Sequence, residues 1–326
     1  MFPVTVPRSQ LICSEATPYY HIASRCVRRS YLCGVDEITQ QNFEHRRDWI
    51  EDKLKQLSSV FCIDICAYAI MHNHYHLVLS IDGEGVKNLS DQEVVARWCS
   101  LHEMPVLIHR YLTQKDTHSS TKEVCHQIIS EWRERLASIS WFMKILNQTI
   151  ARLANKEDDC TGHFLEGRFK SQALLDEKAL LTAMAYVDLN PIRANMVDSL
   201  ETSDFTSVKE RLAALKSNKM TPPCLHPFIG NPTNEMSKGI PFKLEDYLEV
   251  VDWSGKQIRP SKRGAINASA PPVLQQLKFK QQEWLKLCTT LEQNHASIVG
   301  EVKSYSHAIH KLHRKRTTGI KITTAA

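Results

Sequence analysis

The chain has no run of about eighteen apolar residues, so no segment has the length to cross a bilayer as a helix. Its first residues, Met1-Phe2-Pro3-Val4-Thr5-Val6-Pro7, lack the charged and apolar regions of a signal peptide. The expectation is a cytoplasmic protein with no membrane partner. Ten cysteines are present without a single C-x-x-C pair, the nearest two being Cys62 and Cys66, which argues against a zinc site or a disulfide framework. No Gly-rich phosphate loop supports ATP-driven chemistry, and His102-Glu103 lacks the second histidine of a zinc-protease helix. Strong basicity is missing too, since a net charge of +5 does not by itself indicate nucleic-acid binding. With 42% hydrophobic and 24% charged residues in 326, the composition is that of an ordinary globular protein with one good core and room for a small second.

What is present centres on Ala69-Ile70-Met71-His72-Asn73-His74-Tyr75-His76-Leu77-Val78-Leu79, an aliphatic and aromatic stretch that reads as a β-strand ending before Ser80-Ile81-Asp82-Gly83. A period of two puts His72, His74 and His76 on one face and Tyr75, Leu77 and Leu79 on the other. Imidazoles on alternate strand residues are held at a separation that one divalent ion can bridge.

A second stretch, Leu180 to Asn195, has helical spacing that gathers Leu180, Leu181, Met184 and Val187 into an apolar stripe. Tyr186 and Asn190, at i and i+4, share its flank. Pro191 removes a backbone donor and biases Asn190 away from helix, so the helix is expected to end or kink there.

These motifs, with Gly162-His163-Phe164-Leu165-Glu166-Gly167-Arg168-Phe169-Lys170-Ser171 between them, resemble the HUH-type single-tyrosine transposases and, among them, the REP-associated tyrosine transposases. The resemblance spans roughly residues 15–200. It implies that His74 and His76 are metal ligands, that Asn190 is a third ligand and that Tyr186 is the nucleophile. The family often has Pro where this chain has His72, which inherits no role. The implied activity is metal-dependent nicking of single-stranded DNA and strand transfer through a 5′-phosphotyrosine, acting on palindromic or hairpin DNA with Mg²⁺ or Mn²⁺. Arg25, Arg28, Arg29, Arg168, Lys170 and Arg193 lie in or beside the motifs and are expected on phosphates, with Tyr19 or Tyr20 stacking bases. Asp64 or Asp188 could add an oxygen ligand, and Glu166 could support a ligand from behind. Two alternatives stand beside the transposase: a domesticated hairpin-DNA nickase, and a non-catalytic DNA-binding protein of the same fold. Monomer and homodimer remain equally open.

In chain order the pattern predicts a strand over 19–29, an amphipathic helix through Phe43, Ile50, Leu54 and Leu57, a strand from Val60 to Ala69 and then the histidine strand. Residues 81–137 read as a mostly helical insertion. Ile139, Phe142, Met143, Leu146 and Ile150 predict a second core helix, followed by a strand from Phe164 to Leu174 and the Tyr186 helix capped near Asp176. The order β-α-β-β-α-β predicts an α+β fold, a ferredoxin-like split β-α-β antiparallel sheet with helices on one face. The resemblance implies the same fold, its open face holding metal and DNA. Residues 201–326 are expected as a partly loop-rich extension with a short helix at 206–215, helix again over 273–295 and a basic tail around His307, His310, Lys311, His313, Arg314, Lys315 and Arg316.

Overall fold

The computed structural model describes residues 11–27, 32–36, 40–113, 118–217, 219, 221–230, 238–258, 269–292, 296–312 and 318–323. Strand β1 (Tyr19–Arg25) leads to helix α1 (Arg46–Val60), whose buried Ile50, Leu54 and Leu57 follow the helical period, and then to β2 (Ile63–Ile70) and β3 (His74–Ile81). Met71, His72 and Asn73 form the β2–β3 turn, closed by the Met71 N–H donating to the His74 carbonyl at 2.8 Å. This corrects the placing of His72 on the strand face with His74 and His76. Its ring lies against Gly34, where an added Cβ would come within 2.9 Å of His72 Cδ2 and where φ is +99°, so a side chain is excluded twice over.

The insertion folds into α2 (Gly83–Asn88), α3 (Asp91–Cys99), α4 (Val106–Leu112) and α5 (Ser119–Leu136). Ser90 and Glu93 start α3 with a capping box, and Trp98 stacks with Trp132 and meets Trp141 edge-on. Helix α6 (Ile139–Glu157) buries the predicted apolar row. Strand β4 (Lys170–Leu174) is shorter than the expected Phe164–Leu174 strand, only Leu165 bridging earlier, to Cys26. Arg168 therefore lies before the strand, and strand alternation does not align it with Lys170.

Helix α7 (Glu177–Asp188) is capped by Asp176, whose Oδ1 accepts from the Ala179 N–H at 2.9 Å. It stops at Leu189, and a single turn, α8 (Asn190–Arg193), follows with Pro191 near its start. The remaining elements are α9 (Ser207–Lys216), α10 (Leu244–Ile258), α11 (Pro272–Gln276), α12 (Gln281–Thr290), β5 (Ile298–Glu301), α13 (Val302–Lys311) and β6 (Gly319–Ile322). The helix expected over 273–295 is thus two helices, broken where Lys278 takes φ +56°. Among the described residues no helix is long and apolar enough to cross a membrane.

The six-stranded sheet has the order β2-β3-β1-β4-β5-β6. The first four strands are antiparallel, as a split β-α-β unit requires, with β3 inserted between β1 and β2. Strands β5 and β6 then join in parallel. Part of the expected basic tail is therefore structural: Tyr305, Ala308 and Leu312 bury a small cluster against the sheet. Residues 313–317, which carry His313, Arg314, Lys315 and Arg316, lie outside the described residues.

Helices α1, α5 and α6 pack one sheet face through Tyr20, Ile22, Tyr75, Leu77 and Leu79. The other face is covered as well, by α7 with α10 and α12 behind it, which corrects the expectation of helices on one face only. The reason lies in α7, where every residue from Ala179 to Asp188 is buried. A helix apolar on all sides needs cover on all sides.

Candidate active site

Strand register builds the site. On the α7 side of the sheet His76 is paired with Ala23 and Ala23 with Lys170, while His21 is paired with Val78 and Gln172, and His74 with Arg25. Period-two alternation turns these residues to one face. Helix α7 brings Tyr186 down onto them, its ring edge-on to His21 and to His76 with centroids 5.8 Å apart in both cases. Ala23 is small and half-buried opposite His76, and a cavity of about 210 Å³ opens there between His21, Ala23, Lys170, Gln172 and Glu292.

The polar contacts are ordered. Gln172 Nε2 donates to the carbonyls of Leu291 at 3.0 Å and Ala296 at 2.9 Å, and its Oε1 lies 2.6 Å from His21 Nδ1. His21 Nε2 is 3.1 Å from His76 Nδ1, and Glu292 Oε1 is 3.6 Å from the same atom. His74 stands perpendicular to His76 at 4.8 Å, with its Nδ1 2.6 Å from Asn73 Oδ1. Arg193 lies 4.0 Å over the Tyr186 ring and is held by the Cys288 carbonyl at 3.0 Å and by Asn190 Oδ1 at 2.6 Å.

Burial holds all three imidazoles below their ordinary range. His74 is pushed down to about 4, first by burial and then by Arg25, Arg193 and Lys170, so three of the expected phosphate-binding cations gather around it. His76 is lowered by burial, then by His21 and His74, and His21 by burial with Glu292 opposing. Neutral imidazoles keep lone pairs free for a cation. The Tyr186 phenol is raised by burial; Arg193 pulls it back and Glu292 adds to the rise.

His76 Nε2 is buried without a hydrogen-bond partner among the described residues, as is Asn190 Nδ2. A buried ring nitrogen with no partner among the described residues, beside a second imidazole, is compatible with a divalent cation, and so is the His21, His76 and Glu292 group, whose ligand atoms lie within 4.8 Å of one another.

The structure brings His74, His76, Tyr186, Asn190, Arg193, Arg25 and Lys170 together. Arg168 is exposed on the turn before β4, and Arg28 and Arg29 lie outside the described residues. Tyr20 is fully buried on the opposite face, donating to the Cys13 carbonyl, and Tyr19 packs into the α7-side core, so neither is an exposed base-stacking platform. Asp188 is no free oxygen donor: Ser207, Tyr247 and the Val208 N–H all donate to its buried carboxylate, tying α7 to α9 and α10. Asp64 faces His226 beside another cavity, and Glu166 lines a third with Asn147 and Gln148.

Sequence reasoning missed His21, Gln172 and Glu292. His21 carried a signal, since it alternates with Ala23 and Arg25 on one strand. Glu292 carried none, being far along the chain from the histidine strand.

No family model matches the chain, and no curated protein matches it. Among solved structures, that of a REP-associated tyrosine transposase bound to a REP hairpin is similar with a TM-score of 0.36 and 10% identity, covering 68% of this chain and 90% of that one.

Proposed function

We propose that the chain is a metal-dependent enzyme that nicks single-stranded DNA and transfers the strand, acting as a transposase on hairpin or palindromic DNA. The observation that carries this reading is the meeting, on one sheet face, of a tyrosine with two neutral imidazoles and the cations Arg25, Lys170 and Arg193. The sequence resemblance to the HUH core supports it independently, as does the split β-α-β order of the first four strands.

In this reading His74 and His76 would hold Mg²⁺ or Mn²⁺, and Asn190 would join them through Oδ1, the oxygen that Arg193 also contacts at 2.6 Å. Polarisation of the scissile phosphodiester is what such an ion supplies when bound. Tyr186 Oη attacks phosphorus, a P–O bond to Tyr186 forms, and the P–O3′ bond breaks with its electron pair on the 3′ oxygen, which takes a proton from water to leave as a 3′ hydroxyl. Glu292 accepts the phenol proton, and Arg193 over the ring stabilises the developing phenolate. Arg25 and Lys170, exposed at adjoining strand ends, take flanking phosphates. Residues 15–200 form the catalytic unit in this proposal, and residues 201–326 an extension whose Glu292 reaches the site.

One observation favours the non-catalytic alternative: Tyr186 is only 4% exposed. Incubating labelled single-stranded hairpin oligonucleotides with Mn²⁺ or Mg²⁺ decides between them. A covalent protein–DNA adduct that needs both the metal and Tyr186, and is absent in Tyr186→Phe, is the expected outcome. Tight hairpin binding without any adduct refutes the enzyme.

A further inference from the structure

We propose that His21 is a positioning residue that, with Gln172, sets the tautomer of His76 so that its Nε2 lone pair is the one offered to a cation. The proposal rests on the reading of His76 as a metal ligand given above.

The chain of inference starts from two backbone carbonyls. Those of Leu291 and Ala296 lie 3.0 and 2.9 Å from one end of the Gln172 amide, and carbonyls only accept, so that end is the NH₂. Turning the amide over would set its oxygen against both carbonyls and lose two hydrogen bonds. Oε1 therefore faces His21 Nδ1 at 2.6 Å, and Nδ1 carries the His21 proton. A neutral imidazole has one N–H, which leaves His21 Nε2 bare.

That bare nitrogen is 3.1 Å from His76 Nδ1, and two facing lone pairs would repel, so the His76 proton sits on Nδ1. The carboxylate oxygen of Glu292, 3.6 Å from the same Nδ1, favours the same tautomer. What remains is His76 Nε2, an acceptor, buried and unpartnered among the described residues. Register makes the relay rigid. His21 and Gln172 are direct partners across β1 and β4, and His21 stands two residues along β1 from Ala23, the partner of His76. The chain joining α12 to β5 thus writes the protonation pattern of a histidine more than 200 residues earlier.

Long-range ¹H–¹⁵N spectra of metal-free, ¹⁵N-histidine-labelled full chain test this without a substitution. The expected result is His21 and His76 both protonated at Nδ1. Addition of Zn²⁺ as a diamagnetic probe then moves the His76 Nε2 resonance and leaves His21 Nε2 in place. A proton on His76 Nε2, or a coordination shift at His21 Nε2, overturns the proposal; the latter makes His21 a ligand. Expected tautomers with no zinc shift at any histidine refute the metal reading and the positioning role with it, whereas wrong tautomers with zinc on His74 and His76 refute the relay alone. In His21→Phe, which keeps a ring but no acceptor, Mn²⁺ affinity by titration calorimetry is expected to fall about 10- to 100-fold. Unchanged affinity in a folded His21→Phe protein also overturns it.

Discussion

The two faces of the central sheet are built from alternate residues of the same strands and serve opposite ends. Toward α1 and α6, β1 and β3 present Tyr20, Ile22, Tyr75, Leu77 and Leu79, and the hydroxyls there find partners, Tyr75 donating to Asn147 and Tyr20 to the Cys13 carbonyl. Toward α7 the same strands present His21, Arg25, His74 and His76, and among the described residues buried polar atoms are left unmatched at His76 and Asn190. One face maximises packing; the other accepts desolvated polar groups that packing alone would not select. Substitutions on the two faces should accordingly separate stability from chemistry.

The largest effect is expected on the packing face. Leu77→Ala should lower unfolding free energy by about 2–5 kcal/mol in denaturant titrations, through lost burial and a residual cavity. On the other face, His76→Ala should weaken Mn²⁺ binding and adduct formation by about 100-fold or more, beyond the stability it loses with a buried ring and its Nδ1 contact to His21. Asp64→Ala, beside a different cavity, should leave both unchanged; equal losses in the two variants would undo the assignment.

Acid should sharpen the contrast further. His74 titrates near 4 in the folded chain and near 6.5 when unfolded, so between those values the unfolded state binds more protons. Its contribution is intact above pH 6.5 and declines as pH falls toward 4, which denaturation midpoints measured across that window should show. His74→Gln should flatten that slope, and an unchanged slope would remove His74 as the cause. The smallest expected effect is Arg25→Ala, a loss of a few-fold in hairpin affinity with the salt slope reduced by about one. A salt slope that does not move would take Arg25 off the phosphate path.

The secondary structure that frames the site was legible because it is local. The apolar spacing of Ile139 to Ile150 specifies α6 wherever it packs, and Asp176 caps α7 through a bond three residues away. The meeting of His74 and His76 with Tyr186 was anticipated from motif resemblance rather than from periodicity. His72 was placed wrongly because a tight turn occupies Met71–Asn73, so strand alternation begins only at His74.

The amino-acid order alone specified most of the strands and helices from β1 to α7 and set Tyr186 and Asn190 four residues apart, at the end of α7 and the start of α8. Those choices depend on residues a few positions apart. Only the tertiary structure decided that the second sheet face is covered, that Glu292 reaches the histidines, and that the Leu291 and Ala296 carbonyls orient Gln172 against His21. Those contacts join residues more than 100 positions apart, and hydrogen-bond direction is settled only when every donor and acceptor in the network has its place.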